Sequence, residues 1–241
     1  MTRLLAALTA TTFLGTLPVP AQELTEERVK ELVLEAILEN PQIVMDAVTI
    51  LQAREAEAAE AQAQAAMGEN RDALEQDPNA PVLGNPEGDV TVVEFFDYNC
   101  PYCRRAASEV ASLIENDGDV RIVYREWPIL GEGSVFASRA ALAAREQDKY
   151  AELHEAMLGA EGRLDETSVM RIAEEVGLDT DKLRTDMEAP EVQSHIDMSM
   201  ALAQSLGFTG TPSFVIGENR APGLIDAEQM QAMIEMVRED G

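Results

Sequence analysis

The sequence contains few of the residues that bind nucleic acid or zinc. Its 241 residues include 18 Lys and Arg against 45 Asp and Glu, which gives a formal net charge of -27. A chain this acidic repels nucleic acid and anionic lipid. It also has only two cysteines and two histidines, whereas structural zinc takes a full tetrahedral set of such ligands. We therefore expect no nucleic-acid partner and no zinc site.

Apolar runs long enough to span a membrane are also missing. Residues 1–23, MTRLLAALTATTFLGTLPVPAQE, combine Arg3, an apolar run, and the small residues Val19 and Ala21. This run is shorter than the ~20 residues that a membrane-spanning helix needs. We predict a signal peptide over residues 1–21 that is cleaved before Gln22, with an N-terminal anchor as the alternative. The mature protein is then expected in an oxidising compartment, where disulfides persist.

Residues 24–67 consist almost entirely of helix-forming residues. Thr25 is a predicted N-cap, and the apolar residues after it recur at helical spacing. A second helix is predicted to begin at Pro41. Such helices cannot bury their apolar stripes within themselves, so they need another surface. Two interpretations of residues 22–70 stay open: an acidic linker helix, or an arm through which residues 24–67 form a homo-oligomer.

A predicted α/β domain follows over residues 71–241. VTVVEFF is a predicted buried strand, and YNCPYCRRAASEVASLIEN is a helix that begins at the cysteines. DVRIVYREWPI is a second strand, which implies a parallel pair joined by a helical crossover. A helical insertion is predicted over about residues 131–206, and GTPSFVIG then begins a strand, a turn, a short strand and a closing helix.

Cys100 and Cys103 lie at the predicted junction of strand and helix. A disulfide between them closes too short a loop to stabilise the fold much. The positive end of the helix stabilises a thiolate, which predicts Cys100 as an exposed nucleophile and Cys103 as the buried thiol that resolves a mixed disulfide. His154 and His195 lie far along the chain and are predicted to be ordinary helix residues. Copper(I), which accepts two soft ligands, is the alternative use of the cysteines.

Glu94 and Pro212 interrupt predicted strands. A carboxylate within VTVVEFF carries a desolvation cost if that strand is buried. Either Glu94 faces solvent from an edge strand, or it is a buried acid beneath the cysteines that exchanges a proton with Cys103. Pro212, in TGTPSF, heads a strand although it has no N–H for the ladder, so a special turn is expected.

The order of these motifs resembles the DsbA-like branch of the thioredoxin superfamily. FFDYNCPYC, a helical insertion and GTPSFVIG follow the family's order over about residues 82–240. The resemblance implies a thioredoxin fold with an inserted helical domain, preceded here by the N-terminal helical arm. It also implies thiol-disulfide exchange in the bacterial periplasm without a cofactor or metal. The implied partners are unfolded or misfolded secreted proteins and a membrane redox partner.

The resemblance also assigns residues to one site by position. Cys100 and Cys103 would be the nucleophile and the resolving thiol, and Glu94 the buried acid. Pro212 would be a cis-proline that faces the sulfurs. The substrate-binding surface would be formed by Pro212 together with Thr211, Pro101 and Tyr102.

Two departures from the family pattern affect the predicted direction of the reaction. DsbA oxidases usually carry His at the position of Tyr102, and loss of that donor should make the couple less oxidising. The arm at residues 24–67 is similar to the oligomerisation segment of ScsC-type isomerases. Oxidase and isomerase or reductase activity therefore stay open, and a copper(I)-binding or thiol-binding chaperone module of the same fold is the alternative.

Overall fold

The structure of the protein is a computed structural model that describes residues 25–240. The predicted signal peptide at residues 1–21 and its cleavage site before Gln22 lie outside the described residues. The chain divides into two compact units, one ending at Arg54 and the other beginning at Glu55.

The N-terminal unit is helical. Helix α1 spans Glu26–Glu39, and its predicted N-cap, Thr25, accepts a hydrogen bond from the backbone N–H of Arg28. Helix α2 spans Gln42–Glu69 and begins one residue after Pro41. Helix α1 has no buried residue. The large apolar side chains exposed between residues 29 and 51 are Val29, Leu32, Val33, Leu34, Leu38, Ile43, Val44, Met45, Val48, Ile50 and Leu51.

A five-stranded mixed sheet forms the centre of the second unit. Its strands are β1 (Val82–Gly84), β2 (Val90–Phe96), β3 (Val120–Glu126), β4 (Ser213–Ile216) and β5 (Asn219–Pro222), in the order β1-β3-β2-β4-β5. Strands β2 and β3 are parallel, as predicted, and the other neighbouring pairs are antiparallel. Strand β1 was missed at the sequence level because it has only three residues and lies among turn-forming residues.

Helices cover this sheet and fill the segment between β3 and β4. The helices of the second unit after α2 are α3 (Arg71–Glu75), α4 (Pro101–Asn116), α5 (Glu132–Ala144), α6 (Tyr150–Gly159), α7 (Glu166–Glu175), α8 (Thr180–Asp186), α9 (Pro190–Ser205) and α10 (Ala227–Asp240). The architecture is therefore mixed α/β with N-terminal helices, in agreement with the predicted fold class. None of the helices in the described range has both the length and the apolar character needed to cross a membrane.

The side chains of β2 alternate between two hydrophobic cores. Val92 and Phe96 belong to the larger core, which includes α4, whereas Val93 and Phe95 belong to a smaller core on the other face. Glu94 shares the face of Val92 and Phe96, because side chains two positions apart in a strand point the same way. It is buried, and β2 is the middle strand of the sheet. The edge-strand interpretation of Glu94 is therefore wrong.

Candidate redox site

Cys100 lies at the N-terminus of α4. It is the N-cap residue, and Pro101 occupies the first turn, where a missing N–H costs no helical hydrogen bond. The Cys100 thiol donates a hydrogen bond of 3.2 Å to the backbone carbonyl of Thr211. Cys100 is thus held between the start of the helix and the loop that precedes β4.

The surroundings of Cys100 stabilise its thiolate. Its pKa is lowered to about 5, chiefly by a hydrogen bond from the Cys103 thiol and further by the backbone N–H groups of Cys103 and Tyr102. Burial opposes this change, because Cys100 is only 5% exposed. The expectation of an exposed Cys100 is therefore wrong: the residue is buried, and its sulfur contacts the Thr211 carbonyl.

Cys103 has the opposite environment one turn further into α4. It is buried, and this burial raises the pKa of its thiol far above the usual range. Its bond to the Cys100 sulfur and the nearby Glu94 carboxyl raise the pKa further. The backbone N–H of Asp97 approaches its Sγ at 3.5 Å. The two cysteines are free thiols, and they differ sharply in proton affinity.

Glu94 lies beneath these sulfurs. Its pKa is raised to about 8, chiefly by burial and also by the charges of Glu126 and Cys100. A carboxyl of this kind is mostly protonated at neutral pH and can still exchange its proton there. The geometry brings Glu94, Cys100, Cys103 and Thr211 together. The role of Glu94 as proton partner of Cys103 stays a prediction.

The remaining predicted site residues border the sulfurs. The Thr211-Pro212 peptide bond is cis, and Pro212 is buried directly before β4. Pro101 and Tyr102 are exposed at the start of α4, and Tyr102 keeps 53% of its surface. The Arg105 guanidinium lies 4.6 Å from the centre of the Tyr102 ring. The exposed Tyr102 ring and the partly exposed Thr211 loop therefore lie at the surface beside Cys100.

Polar residues before Cys100 were missed at the sequence level. The Asp97 carboxylate accepts hydrogen bonds from the backbone N–H groups of Asn99, at 2.7 Å, and of Leu130, at 2.9 Å. The Asn99 side chain in turn accepts a bond of 2.7 Å from the N–H of Leu164. These bonds fix the loop between β2 and α4 against the inserted helices. The Asp and Asn in DYN are the signal that could have indicated such a turn.

A second buried acid, Glu126, was also missed. It ends β3, it is fully buried, and its pKa is raised to about 8 by burial. Its Oε1 accepts hydrogen bonds from the hydroxyls of Tyr98, at 3.1 Å, and Tyr150, at 3.0 Å. The Tyr98 hydroxyl also lies 3.0 Å from Nδ1 of His154. No sequence signal separates this Glu from a solvent-facing residue at the end of a strand.

Both histidines are buried helix residues. His154 lies in α6 and His195 in α9, and burial lowers each pKa to about 3, so both rings are neutral at physiological pH. Over residues 25–240 the structure contains no cluster of three or more His, Cys, Asp or Glu side chains arranged to hold a metal ion.

Known proteins resemble both units of the chain. Residues 91–235 match the family described as DSBA-like thioredoxin domain, and residues 26–58 match the family described as copper resistance protein ScsC N-terminal domain. A thioredoxin-like oxidoreductase from Silicibacter pomeroyi DSS-3 is 65% identical, with a TM-score of 0.70 over 70% of this chain and 98% of that structure. Proteus mirabilis ScsC in a transitional conformation is 28% identical, with a TM-score of 0.67, and the match covers 92% of this chain and 99% of that one.

Among curated relatives, the Na(+)/H(+) antiporter NhaA 3 of Salinispora tropica is 32% identical over 155 residues, which are 64% of this chain and 24% of the antiporter. The chain thus spans about a quarter of the length of the curated antiporters that it matches. The family match itself covers more than half of this chain and includes both cysteines, Glu94 and Pro212. The chain belongs to the DSBA-like thioredoxin domain family.

Proposed function

We propose that this protein is a thiol-disulfide oxidoreductase of the periplasm that acts on unfolded or misfolded secreted proteins. The observation that carries the proposal is the opposite proton affinity of Cys100 and Cys103 at the start of α4. A thiolate at neutral pH is the nucleophile of disulfide exchange, and a buried neighbouring thiol can resolve the mixed disulfide. The predicted signal peptide at residues 1–21 supports the location.

The proposed reaction passes through one mixed disulfide. The Cys100 thiolate attacks a substrate disulfide, forms an S–S bond to one substrate sulfur, and releases the other sulfur as a thiolate that takes up a proton. Cys103 then loses its proton to the Glu94 carboxylate and attacks the Cys100 sulfur. The Cys100–Cys103 disulfide forms, and the second substrate sulfur leaves as a thiolate that takes up the proton now held by Glu94. The reverse sequence oxidises a substrate dithiol.

Residues around Cys100 would hold the substrate during this exchange. Thr211 is partly exposed beside the Cys100 sulfur, and Pro101 and Tyr102 are exposed on the other side. A polypeptide crossing Cys100 would therefore contact the loop before Pro212 and the aromatic ring. No cofactor is required, because the electrons pass between sulfurs. A membrane redox partner would return the cysteines to their working state.

We further propose that the arm at residues 24–67 forms a homo-oligomer. The support is its uncovered apolar side chains and the match of residues 26–58 to the ScsC N-terminal domain. Leu38 is 72% exposed and Val33 is 53% exposed, a state that is costly for large apolar side chains in water. Several redox sites in one assembly would suit the isomerisation of scrambled disulfides.

Refolding of ribonuclease tests the proposed activity and its direction. We expect the reduced protein to restore activity to scrambled ribonuclease and the oxidised protein to restore it to fully reduced ribonuclease. Cys100→Ser should abolish both reactions. Failure of the wild-type protein in both assays would contradict the proposed function, and rescue of the reduced substrate alone would indicate an oxidase.

Light scattering tests the proposed arm. Val33→Glu and Leu38→Glu place charges among the exposed apolar residues, whereas deletion beyond Arg54 would remove Ala63 and Met67, which are buried in the second unit. We expect the wild-type protein to be an oligomer and the double variant a monomer. A wild-type monomer would contradict the role of the arm.

A second candidate function is copper(I) binding by the two sulfurs. It is favoured by the description of the family that matches residues 26–58, which names copper resistance, and by the two adjacent soft ligands. Titration of the reduced protein with copper(I) tests it. Tight binding that is lost in both Cys100→Ser and Cys103→Ser, in a wild-type protein without disulfide exchange activity, would favour this function over the first.

A further inference from the structure

We propose that Glu126 is a positioning residue for the redox site: its buried carboxyl, held by the hydroxyls of Tyr98 and Tyr150, controls how readily Glu94 accepts the proton of Cys103. This inference rests on the proposed function. It adds a residue that lies outside the CPYC motif and touches neither sulfur, and that acts through Glu94 rather than on the substrate.

The register of the sheet places the two acids on one face. Glu94 pairs with Tyr124, and Phe96 pairs with Glu126 two positions further along both strands. Residues two apart in a strand face the same side. From the strand spacing and the rise per residue, the Cα atoms of Glu94 and Glu126 are roughly 8 Å apart. The side chains are close enough in this buried environment for the charge of Glu126 to raise the pKa of Glu94.

The Glu126 carboxyl is fixed rather than free to move away. Two tyrosine hydroxyls donate to its Oε1, and the nearby Ser138 hydroxyl also lowers its pKa. Tyr98 precedes Cys100 by two residues, and its backbone carbonyl accepts a bond of 3.3 Å from Arg104 of α4. The network therefore connects Glu126 to the loop and the helix that carry both sulfurs.

Among the described residues that influence the pKa values of Glu94 and Glu126, none is a cation that would offset the repulsion between the two carboxylates. Burial raises the pKa of both carboxyls, and the charge of Glu126 is the next cause for Glu94. The two imidazole rings are neutral, because burial lowers their pKa to about 3. The titratable groups around the pair are Asp97, Tyr98, Cys100, Cys103, Tyr124, Tyr150, His154 and His195.

The expected consequence is a shift in the pH at which Glu94 can act as a base. Glu126 also has a pKa of about 8, so the two carboxyls ionise over the same pH range and the charge of each opposes ionisation of the other. Removing the ionisable group at position 126 should therefore lower the pKa of Glu94 from about 8. More Glu94 would then be ionised at mildly alkaline pH and could take the proton from Cys103. Glutamine at position 126 keeps an oxygen for the tyrosine hydroxyls while removing the charge.

The test is the pH profile of the resolving step in the full-length protein. Reduced protein is mixed with oxidised glutathione, and acid-quenched samples are analysed by mass for the Cys100–glutathione adduct and for the Cys100–Cys103 disulfide. In the wild-type protein we expect the rate of adduct loss to inflect near pH 8. In Glu126→Gln the inflection should move down by about half a pH unit or more, with a faster step between about pH 7 and pH 8.

Three further variants separate this role from a structural one. Glu94→Gln should abolish the inflection, and Glu126→Asp should restore it towards the wild-type value. Glu152→Gln, on the exposed face of α6, is the matched control and should leave it unchanged. If Glu126→Gln does not fold, Tyr150→Phe replaces it. Loss of one hydrogen bond favours the neutral form of Glu126, so a smaller shift in the same direction is expected.

The outcomes distinguish the two proposals. A wild-type protein that forms no glutathione adduct contradicts the proposed function itself. An active wild-type protein whose inflection is unchanged by Glu126→Gln, or by Tyr150→Phe where the first variant does not fold, overturns the role of Glu126 and leaves the exchange reaction standing.

Discussion

The regions around Cys100 and Cys103 contain the same side chain and give it opposite properties. At the N-terminus of α4, a thiol donor and backbone N–H groups lower the pKa of Cys100 to about 5. One helical turn away, burial above Glu94 raises the pKa of Cys103 far above its usual range. The difference shows that the surroundings of each cysteine, rather than the residue type, determine which sulfur attacks the substrate and which resolves the mixed disulfide.

The comparison also shows that each region depends on the other. The hydrogen bond from Cys103 is the largest cause of the low pKa of Cys100, and the same bond is among the causes that keep the proton on Cys103. Substitution of either cysteine therefore changes both environments. The largest effects are expected from the cysteines themselves, and smaller ones from Glu94 and Tyr102.

Substitution of Cys100 should abolish thiol-disulfide exchange. In Cys100→Ser the thiolate nucleophile is replaced by a hydroxyl that is not ionised at neutral pH, so we expect the rate to fall by about a thousandfold or more. The measurement is the rate at which reduced protein reduces insulin disulfides. Residual activity above a tenth of the wild-type rate would mean that Cys103 can attack substrates by itself, which its burial argues against.

Substitution of Cys103 should trap the mixed-disulfide intermediate. In Cys103→Ser the attack on a disulfide can still occur, but no second thiol resolves the product. We expect the glutathione adduct on Cys100 to persist and to be visible by mass spectrometry, whereas the wild-type protein loses it. The variant should also raise the pKa of Cys100, because it lacks the thiol that donates to that sulfur. A variant that forms no adduct would contradict the division of roles.

Replacing the acid beneath Cys103 should change stability in a pH-dependent way. The pKa of Glu94 is about 8 in the folded protein, above its ordinary value of about 4.3. Glu94 therefore stabilises the fold fully below its ordinary pKa, and this contribution is lost as the pH rises through about 8. Glu94→Gln cannot ionise, so its melting temperature should exceed that of the wild-type protein by several degrees above pH 8.

Thermal unfolding of reduced protein, followed by circular dichroism across this pH range, measures the effect. The advantage of Glu94→Gln should grow with pH and be small near pH 4. Glu152→Gln, an exposed substitution, is the control and should show no such trend. An advantage that does not vary with pH would mean that Glu94 does not retain its proton in the folded protein.

The smallest expected effect comes from a substitution beside Cys100 that should stabilise its thiolate. Tyr102→His places an imidazole beside the thiolate in the position that DsbA oxidases use. A protonated ring would stabilise reduced Cys100 and make the couple more oxidising, by about tenfold in the equilibrium constant with glutathione, or ~30 mV. Tyr102→Phe keeps the exposed ring and is the control. If Tyr102→His leaves the equilibrium constant with glutathione unchanged, the residue at position 102 does not set the redox direction.

The parts of this site that depend on local sequence could be predicted. The strand VTVVEFF, the helix that begins at Cys100, and the order of strands after residue 206 all follow from periodicity and turn residues. The sequence raises the question whether Glu94 is buried, because a charged residue interrupts an apolar run. Its answer required the strand order, which places β2 in the middle of the sheet.

The parts that depend on distant segments could not be predicted. The hydrogen-bond partner of Cys100 is Thr211, and those of Glu126 are Tyr98 and Tyr150, which the fold brings together from separate segments. In REWPI, the Glu at the end of β3 looks like a solvent-facing residue. Its hydrogen bonds span 24 and 28 positions of the chain, a range that local patterns do not report.

The most direct test of the central claim is a titration of the Cys100 thiol in the wild-type protein. The ultraviolet absorbance of the thiolate is followed against pH, with oxidised protein as the baseline and Cys100→Ser as the control. The account predicts one inflection near pH 5, which is lost in Cys100→Ser, and no ionisation of Cys103 up to mildly alkaline pH. An inflection near the ordinary cysteine value of about 8.5, or two equivalent thiols, would contradict it.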